Sequence, residues 1–281
     1  MPGTLFVVST PIGNLEDITL RALRTLREVA VIAAEDTRRT AILLRRYEIT
    51  TPMVSFHEHN ERERTAELVR RLAAGEAIAL VSDAGTPLVS DPGARLVRAA
   101  IADDVPVQAI PGPSAVMTAL TVAGLATDRF TFLGFAPARR GERARWLQSV
   151  KTTPGTLVFF EAPHRIGAFL EDVRTVLGER QIVLARELTK SHEEVTRGSI
   201  SEILDRKFNP RGEYTVLVSD QNTELAAPAA APNPAYVVAE FGRMTADEAV
   251  SARDAVSAIA RRASMSKQDV YAALRRAGKI G

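Results

Sequence analysis

A long polar loop, Ser82 to Gly93, holds the side chains of this sequence that are best placed for chemistry. The short, continuously apolar run before it is typical of a parallel strand that is covered on both faces. Asp83 is therefore expected at the carboxyl end of a strand, and Gly85 lets a ligand approach bare backbone. The Asp91-Pro92 pair fits the cap and first turn of the next helix, but the loop exceeds the roughly two to six residues that such a connection needs. We expect this loop to hold a ligand.

Similar polar segments follow other predicted strands. The segment from Pro11 to Asn14 follows a first strand, and Glu35 to Arg39 follows a second one at Val29–Ala34. Pro111 to Ala115 follows a later strand and opens a helix, whose free backbone N–H groups can bind an anion or a polar group. The carboxyl ends of parallel strands lie at one edge of a sheet, so we expect these loops to meet there.

The order of apolar runs and helical patterns predicts the fold class. Five strands alternate with helices up to about residue 125, and four more strands, with helices between them, follow up to about residue 220. Alternation of this kind is typical of α/β domains with largely parallel sheets. We therefore predict two consecutive α/β domains, at residues 1–125 and 126–220.

The end of the chain has a different composition. Residues 221–234 are rich in Ala and Pro, which indicates a semi-stiff linker. Two helices are expected beyond it, at Ala246–Arg262 and Lys267–Ala277, joined by a short turn as in a helix-turn-helix. Residues 235–281 contain eight Lys and Arg against five Asp and Glu, and the first 234 contain 28 against 29. This basic excess fits an RNA-binding module, although a solvated helical face or a docking module would carry the same charge.

The composition excludes several kinds of site. The chain has no Cys and four His, so disulfides and thiolate metal sites are ruled out and few ligands remain for zinc. The His57-Glu58-His59 sequence has no third ligand at a recognisable spacing, and we predict no metal. Neither a phosphate-binding P-loop nor the glycine pattern of a dinucleotide fold is present. No apolar run is long enough for a membrane span, and none fits a signal peptide, so a cytoplasmic location is expected.

Seven motifs, taken together and in order, resemble one known family. They are Ser9–Leu15, Glu35–Arg38, Ser82–Gly93, Pro111–Ala115, Phe132–Phe135, Glu161–Arg165 and Arg186–Lys190. Through them, residues 4 to 219 are similar to the tetrapyrrole methylases, the class III S-adenosylmethionine-dependent methyltransferases. Within that superfamily they resemble the family that methylates a cytidine 2′-hydroxyl in the decoding centre of 16S ribosomal RNA. One departure is Asp83-Ala84-Gly85, which stands where corrin and sirohaem methylases have Gly-Asp-Pro, so their cofactor contacts are not transferred atom by atom.

The resemblance implies an enzyme that works as a homodimer and binds S-adenosylmethionine in a cleft between the two α/β domains. This cofactor brings an activated methyl group, so the protein has to align the reacting atoms and needs no metal. The residues implied for cofactor binding are Pro11, Asp83, Ala84, Gly85, Thr86, Ser114, Ala115, Glu161, Leu188, Gly212 and Glu213. The basic residues expected to contact the RNA of the small ribosomal subunit are Arg39, Arg45, Arg46, Arg139, Arg140, Lys267, Arg275 and Arg276.

A 2′-hydroxyl becomes a better nucleophile when a nearby group takes up its proton, an effect of about 10²- to 10⁴-fold. Asp36 is our first candidate because it ends a strand at the same edge as Asp83, with Arg38 and Lys190 as groups that position the RNA. Asp36 could instead cap the following helix. Lys190 would act as the base only if burial or a neighbouring cation favoured its neutral form. His57 titrates in a suitable range but lies in a polar loop that fits exposure to solvent equally well.

Two other functions fit parts of the sequence. A methylase that acts on a small tetrapyrrole or corrinoid would share the fold and the cofactor, but would not need Glu35–Arg38 or a basic helical end. A non-catalytic RNA-binding protein would explain the many arginines, among them Arg143 and Arg145, but leaves the cofactor-type loops without a purpose. Cofactor binding separates the second alternative from both enzymes, and methyl transfer to 30S subunits separates the two enzymes from each other.

Overall fold

The computed structural model describes residues 1–210, 212–220, 234–245, 251–262 and 267–280 of the chain. Residues 1–222 form one compact unit and residues 223–281 form a second. The first unit contains two five-stranded sheets. We call the part built on the first sheet, residues 5–123, the first lobe, and the part built on the second sheet, residues 130–218, the second lobe.

The first lobe is a parallel sheet with helices on both faces. Its strands are β1 (Leu5–Val8), β2 (Val31–Ala34), β3 (Met53–Ser55), β4 (Ile78–Val81) and β5 (Val107–Ile110), in the spatial order β3-β2-β4-β1-β5. Its helices are α1 (Leu20–Glu28), α2 (Thr37–Arg46), α3 (Glu61–Ala73), α4 (Ala94–Ala102) and α5 (Ala115–Ala123), and a short 3-10 helix at Leu15–Asp17 precedes α1. The predicted alternation of five strands with helices is confirmed.

The central strands explain the apolar runs in the sequence. Every residue of β2 and β4 is buried. Along β4, Ile78 and Leu80 belong to one core cluster, while Ala79 and Val81 belong to another. Successive side chains of a strand point to opposite faces, so a strand covered by helices on both sides is apolar throughout. The first polar residues after β4 therefore mark the edge of the sheet.

The second lobe has a mixed sheet. Its strands are β6 (Phe130–Phe135), β7 (Thr156–Glu161), β8 (Gln181–Arg186), β9 (Glu194–Ser199) and β10 (Tyr214–Val218), in the order β6-β7-β10-β8-β9. Its helices are α6 (Arg140–Val150), α7 (Ile166–Leu177) and α8 (Ile200–Leu204). β6 pairs with β7 in parallel and the remaining neighbours are antiparallel. The sequence did not predict β9, because this edge strand is partly exposed and has no apolar run.

Polar contacts fasten the two lobes to each other. Arg197 of β9 donates to the backbone carbonyls of Val122 and Ala123 at the C-terminal end of α5, where a cation complements the helix dipole. The backbone N–H of Asn14 donates to Thr189 Oγ1 at 3.0 Å. These contacts hold the first-lobe loops opposite the second-lobe segment that follows β8.

The second compact unit has a small apolar core of its own. Its helices are α9 (Pro234–Thr245), α10 (Ala252–Arg262) and α11 (Lys267–Arg276). Val237, Phe241, Ile259 and Leu274 are buried in that core. The two predicted helices are present as α10 and α11. The sequence did not predict α9, in which Val237 and Gly242 are weak helix formers, but this helix packs on both of the others.

Parts of three predictions fall outside the described residues, among them residues 246–250 of the helix predicted at Ala246–Arg262. The predicted linker at 221–234 does so except for Pro234, the first residue of α9, and so does the turn predicted at 263–266. In the part of the chain that the structure describes, no helix combines the length and the apolar character that crossing a membrane requires.

Candidate active site

The loops that leave three neighbouring first-lobe strands are joined by hydrogen bonds. Thr10, after β1, and Gly85, after β4, exchange two backbone hydrogen bonds with N···O distances of 2.8 and 3.0 Å. Gly85 has a φ of 78°, which glycine adopts without strain. Ser9 Oγ donates to Thr86 Oγ1 at 3.2 Å, and Thr86 Oγ1 donates to the Pro113 carbonyl, after β5, at 3.3 Å. The loops therefore meet at one edge of the sheet, as the sequence predicted.

The helix after the long loop is capped by a neighbouring helix. α4 begins at Ala94, and the N–H groups of Gly93 and Arg95 donate to Glu61 Oε1 of α3 at 3.1 and 3.2 Å. The prediction that Asp91 caps this helix was wrong, because Glu61 supplies the acceptor. Asp91 instead lines the cavity described below.

The backbone before Asp91 is strained. Leu88 has a φ of 73° and Ser90 a φ of 69°. Side chains other than glycine rarely adopt this left-handed region, and such strain persists only where the surrounding structure imposes it, often at ligand sites. Ser90 and Asp91 both line the cavity. The strained turn thus presents a carboxylate to the cavity.

Asp83 is held in place by the loop that follows β2. Its N–H donates to Glu35 Oε2 at 3.1 Å, and its Oδ1 accepts the N–H of Asp36 at 3.0 Å. Its Oδ2 lies 3.2 Å from Arg39 Nη1. The orientation of the Asp83 carboxylate is therefore set by the protein before any ligand binds.

Burial raises the pKa of two carboxyl groups in the cavity. Loss of hydration is the largest cause for Glu35, and the negative charge of Asp83 adds to it. For Asp91, burial and then repulsion by Glu35 raise the pKa to about 6. Glu213 adds negative charge from the second lobe. A cavity with this many carboxylates favours a cationic ligand.

Asp36, the predicted proton acceptor, is bound by its neighbour Arg38. Its Oδ1 accepts the backbone N–H of Arg38 at 2.9 Å and the Nε–H at 3.0 Å, while Oδ2 accepts Nη2–H at 2.8 Å. These hydrogen bonds lower the pKa of Asp36 to about 2. A carboxylate with so low a pKa is a poor proton acceptor. The structure therefore favours the alternative in which Asp36 caps α2 and orients Arg38.

The chain segment that follows β8 forms part of the cavity wall on the side of the second lobe. Lys190 Nζ lies 2.9 Å from Glu187 Oε1, and both residues line the cavity. A Cβ atom at Gly13 would lie 2.5 Å from Lys190 Cγ, and one at Gly212 would lie 2.5 Å from Glu187 Oε1. These two glycines allow the first-lobe loop and the loop before β10 to approach the segment after β8 closely.

A cavity of about 690 Å³ lies between the two lobes. This size is typical of pockets that hold small molecules. Ten of the predicted cofactor residues line it: Pro11, Asp83, Ala84, Gly85, Thr86, Ser114, Ala115, Leu188, Gly212 and Glu213. Charged and aromatic lining residues that the sequence did not assign to the cofactor include Glu35, Asp91, Phe135, Phe160 and Glu187. All of these except Phe160 belong to the seven motifs, so membership of a motif could have predicted that they line the cavity.

Comparison with known proteins identifies the family. Residues 4–204 match the family described as Tetrapyrrole (Corrin/Porphyrin) Methylases. The chain belongs to the tetrapyrrole methylase family. It is therefore an S-adenosylmethionine-dependent methyltransferase, as its motifs predicted.

Two relatives place this methylase within the family. The ribosomal RNA small subunit methyltransferase I of Pseudomonas aeruginosa is 52% identical over 222 residues, which cover 77% of this chain and 79% of that protein. The protein of the same name from Thermotoga maritima is 47% identical over 219 residues, or 77% of this chain and 98% of that protein. The methylase thus belongs with the ribosomal RNA small subunit methyltransferases I, and the family predicted from the motifs is confirmed.

A solved structure shares the fold of this methylase. The uroporphyrin-III C-methyltransferase of Thermus thermophilus, complexed with S-adenosylhomocysteine, superposes with a TM-score of 0.54. It is 19% identical and covers 76% of this chain and 96% of its own. The two-sheet α/β fold that the sequence predicted is therefore that of the tetrapyrrole methylases.

Glu161 of the methylase does not reach the cavity. Its side chain is fully buried, its Oε1 accepts the N–H of Ala162 at 2.8 Å, and burial raises its pKa. Arg165 Nε lies 3.1 Å from the same oxygen, but at an angle that makes no hydrogen bond. The prediction that Glu161 closes the pocket was wrong, because Phe160 lines the cavity and the next side chain of β7 points to the opposite face.

The predicted RNA-binding residues of the methylase lie in four places. Arg39 lines the cavity, and the others are exposed: Arg45 and Arg46 at the end of α2, Arg139 and Arg140 at the start of α6, and Lys267, Arg275 and Arg276 on α11. Arg143, by contrast, is buried, and its Nη2 lies 2.6 Å from Asp172 Oδ2. Arg143 therefore serves the fold, whereas RNA contact by the exposed residues stays a prediction.

Proposed function

We propose that this methylase transfers a methyl group from S-adenosylmethionine to the 2′-hydroxyl of a cytidine ribose in the decoding centre of 16S ribosomal RNA. The observation that carries this proposal is that six of the seven motifs, all except Glu161–Arg165, contribute residues to the lining of one cavity of about 690 Å³. The relatives named for methylating small-subunit ribosomal RNA, at 46 to 52% identity, support the choice of substrate.

The charges of the cavity suit this cofactor. S-adenosylmethionine has a positive sulfonium and a positive ammonium group, and Glu35, Asp83, Asp91 and Glu213 line the cavity. We assign the ammonium to Asp83, whose carboxylate is already oriented by Asp36 and Arg39. The carboxylate end of the cofactor fits the start of α5 at Ala115, where a helix N-terminus favours an anion.

Asp91 is the group that we propose as the proton acceptor. When bound, S-adenosylmethionine supplies a methyl group activated on sulfur, and methylation of the 2′-oxygen releases the hydroxyl proton. Asp91 lines the cavity, and its pKa of about 6 leaves it ionised at neutral pH while it retains more proton affinity than an ordinary carboxylate. Arg38, whose side chain is 89% exposed, and Lys190 each pair with one carboxylate and keep further N–H groups that can bind RNA phosphates.

The remaining parts of the proposal concern partners and place. We propose a homodimer, and the exposed apolar side chains of Leu20 and Met117 offer surface for such a contact. The substrate places the enzyme in the cytoplasm. The acidic cavity disfavours the non-catalytic alternative, because carboxylates repel RNA phosphates and a protein that only binds RNA has no use for them.

The test is methyl transfer with labelled cofactor. Purified 30S subunits that lack the modification and a uroporphyrinogen substrate are offered separately, and the labelled RNA is digested to nucleosides for mass spectrometry. We expect label in 2′-O-methylcytidine and none in the tetrapyrrole. Label on a base, or in the tetrapyrrole alone, would contradict the proposal.

A further inference from the structure

A second cavity, of about 420 Å³, lies behind the sheet of the second lobe. Along β8, Ala185 lines the first cavity, whereas Leu184 and Arg186 line the second. Neighbouring side chains of a strand point to opposite faces, so β8 separates the two cavities. The residue after Arg186, Glu187, lines the first cavity again. Both cavities are therefore lined by residues at the C-terminal end of β8.

The second cavity has an apolar floor. Leu184 and Ile203 are buried there, and Phe208 packs against the same core cluster. The ring of Tyr214 is also buried, and its hydroxyl donates to the Asn209 carbonyl at 3.1 Å. Two aromatic rings at the base of a cavity provide surfaces on which a planar group can pack.

The rim of the second cavity is basic. Arg186, Arg206 and Lys207 are cations and Glu194 is the one carboxylate among its lining residues, which leaves a surplus of positive charge. Glu194 accepts hydrogen bonds from Arg186 at 3.0 and 3.1 Å. Arg206 and Lys207 are exposed, and within the described residues neither forms an ion pair. These two side chains are thus available to an anion.

We propose that this second cavity binds one nucleotide of the RNA substrate, other than the nucleotide that is methylated. The base would pack on the apolar floor, and the phosphate would lie between Arg206 and Lys207 at the rim. Thr196 places a hydroxyl beside the floor, where a base edge needs a polar group. The site lies next to the first cavity, so one RNA strand can reach both. This inference rests on the proposed function.

Charge reversal tests the rim. We compare the Arg206→Glu/Lys207→Glu protein with Arg62→Glu/Arg98→Glu, which reverses two exposed charges of the first lobe that line neither cavity. Anisotropy of a labelled single-stranded RNA fragment gives affinity at several salt concentrations. We expect the rim variant to bind at least tenfold more weakly than the control, with a salt slope reduced by about 0.7 for one lost phosphate contact. Equal affinity of the two variants overturns the proposal.

Filling the cavity tests its floor without changing charge. Thr196→Trp places a large ring in the cavity, and Thr196→Val, which keeps the volume, is the matched control. We expect the Trp variant to lose RNA affinity at least fivefold at any salt concentration, while the Val variant stays within twofold of wild type. S-adenosylmethionine affinity, measured by calorimetry, should be unchanged in both. If the Trp variant folds and binds RNA as tightly as the wild type does, the proposal is overturned. If the Trp variant does not fold, the charge-reversal experiment alone decides.

A free mononucleotide has the same chemistry as a nucleotide in RNA, so its binding is measured separately. Cytidine and uridine monophosphates are titrated into the protein with and without the fragment. We expect weak binding that the fragment prevents. Tight mononucleotide binding that leaves RNA affinity unchanged would assign the cavity to a free nucleotide and overturn the RNA proposal. Wild-type methyl transfer to 30S subunits is measured in parallel, so that a failure of this inference is distinguished from a failure of the proposed function.

Discussion

Arg39 Nη1 lies 3.2 Å from Asp83 Oδ2 at the edge of the cavity between the two lobes. The Arg39 side chain is 65% exposed, so the ion pair contributes about 0 to 1 kcal/mol and a ligand can replace it at little cost. The Asp83 carboxylate is thus oriented and accompanied by a cation that can be displaced. A cationic cofactor can take the place of Arg39.

We expect Asp83→Ala to weaken S-adenosylmethionine binding about 10- to 100-fold, because a hydrogen bond to a charged group contributes about 1.5 to 3 kcal/mol. Calorimetry at pH 7.5 gives the dissociation constant. Arg39→Ala is the matched control: it removes the competing cation and should leave the affinity unchanged or slightly higher. An unchanged constant in Asp83→Ala would remove Asp83 from the cofactor site.

The rate of the chemical step should depend on Asp91. Asp91 acts as a base only when ionised, so the single-turnover rate should rise with pH through about 6 and level off above it. Asp91→Asn should lower the plateau at least a hundredfold at saturating cofactor and RNA. Asp36→Asn should change RNA affinity more than this rate, because Asp36 holds Arg38. A hundredfold loss confined to Asp36→Asn would restore our first candidate.

Asp91 should also make the stability of the protein depend on pH. Its pKa is about 6 in the folded protein and near the ordinary 3.8 in the unfolded chain, so the folded state retains the proton more strongly. The contribution of Asp91 to the stability of the wild type should therefore fall as pH rises from about 4 to 6. At pH 8, Asp91→Asn should be more stable than wild type by roughly 1 to 3 kcal/mol, and this gain should vanish at pH 4. Urea unfolding at both pH values measures it; an equal difference at both would refute the raised pKa.

Gly13 should be required for the approach of the two lobes. A Cβ at this position would lie 2.5 Å from Lys190 Cγ and 2.9 Å from the Leu188 carbonyl oxygen. We expect Gly13→Ala to lower the free energy of unfolding by about 1 to 3 kcal/mol, as overpacking does, and to weaken cofactor binding. Gly141→Ala is the control, because a Cβ there meets nothing within 4 Å. Similar losses in both variants would contradict a specific role for Gly13.

The C-terminal helices should contribute RNA affinity and no chemistry. A chain that ends at Asp220 keeps the hydrogen bond from the Gly155 N–H to Asp220 Oδ2, at 2.8 Å, and both sheets of the first unit. We expect it to bind S-adenosylmethionine as the full chain does and to lose activity on 30S subunits at physiological salt.

Replacement of Lys267, Arg275 and Arg276 by Ala in the full chain should reproduce most of that loss, since these cations are exposed on α11. Undiminished activity of the shortened chain would show that the helices do not bind RNA. The Thermotoga maritima relative aligns with this chain over 219 residues, which are 98% of its own length. Little of that relative is therefore left to match the C-terminal helices, so the shortened chain tests directly whether activity needs them.

Much of this protein could be predicted from its sequence, because some signals are local. A strand such as β4 that is buried on both faces has to be apolar at every residue, and the polar loop after it has to lie at the edge of the sheet. The position of Asp83 follows from these two facts. The motifs also identify the family, and membership of the family implies the cofactor.

Only the tertiary structure decided which side chains line the cavity and how strongly each carboxylate binds a proton. The cap of α4 comes from Glu61, which is distant in sequence, and this leaves Asp91 free to line the cavity. Asp36 and Asp91 are the same residue type, but Arg38 lowers the pKa of one to about 2 and burial raises the other to about 6. Proton affinity depends on neighbours and on exposure to water, and both are properties of the folded chain.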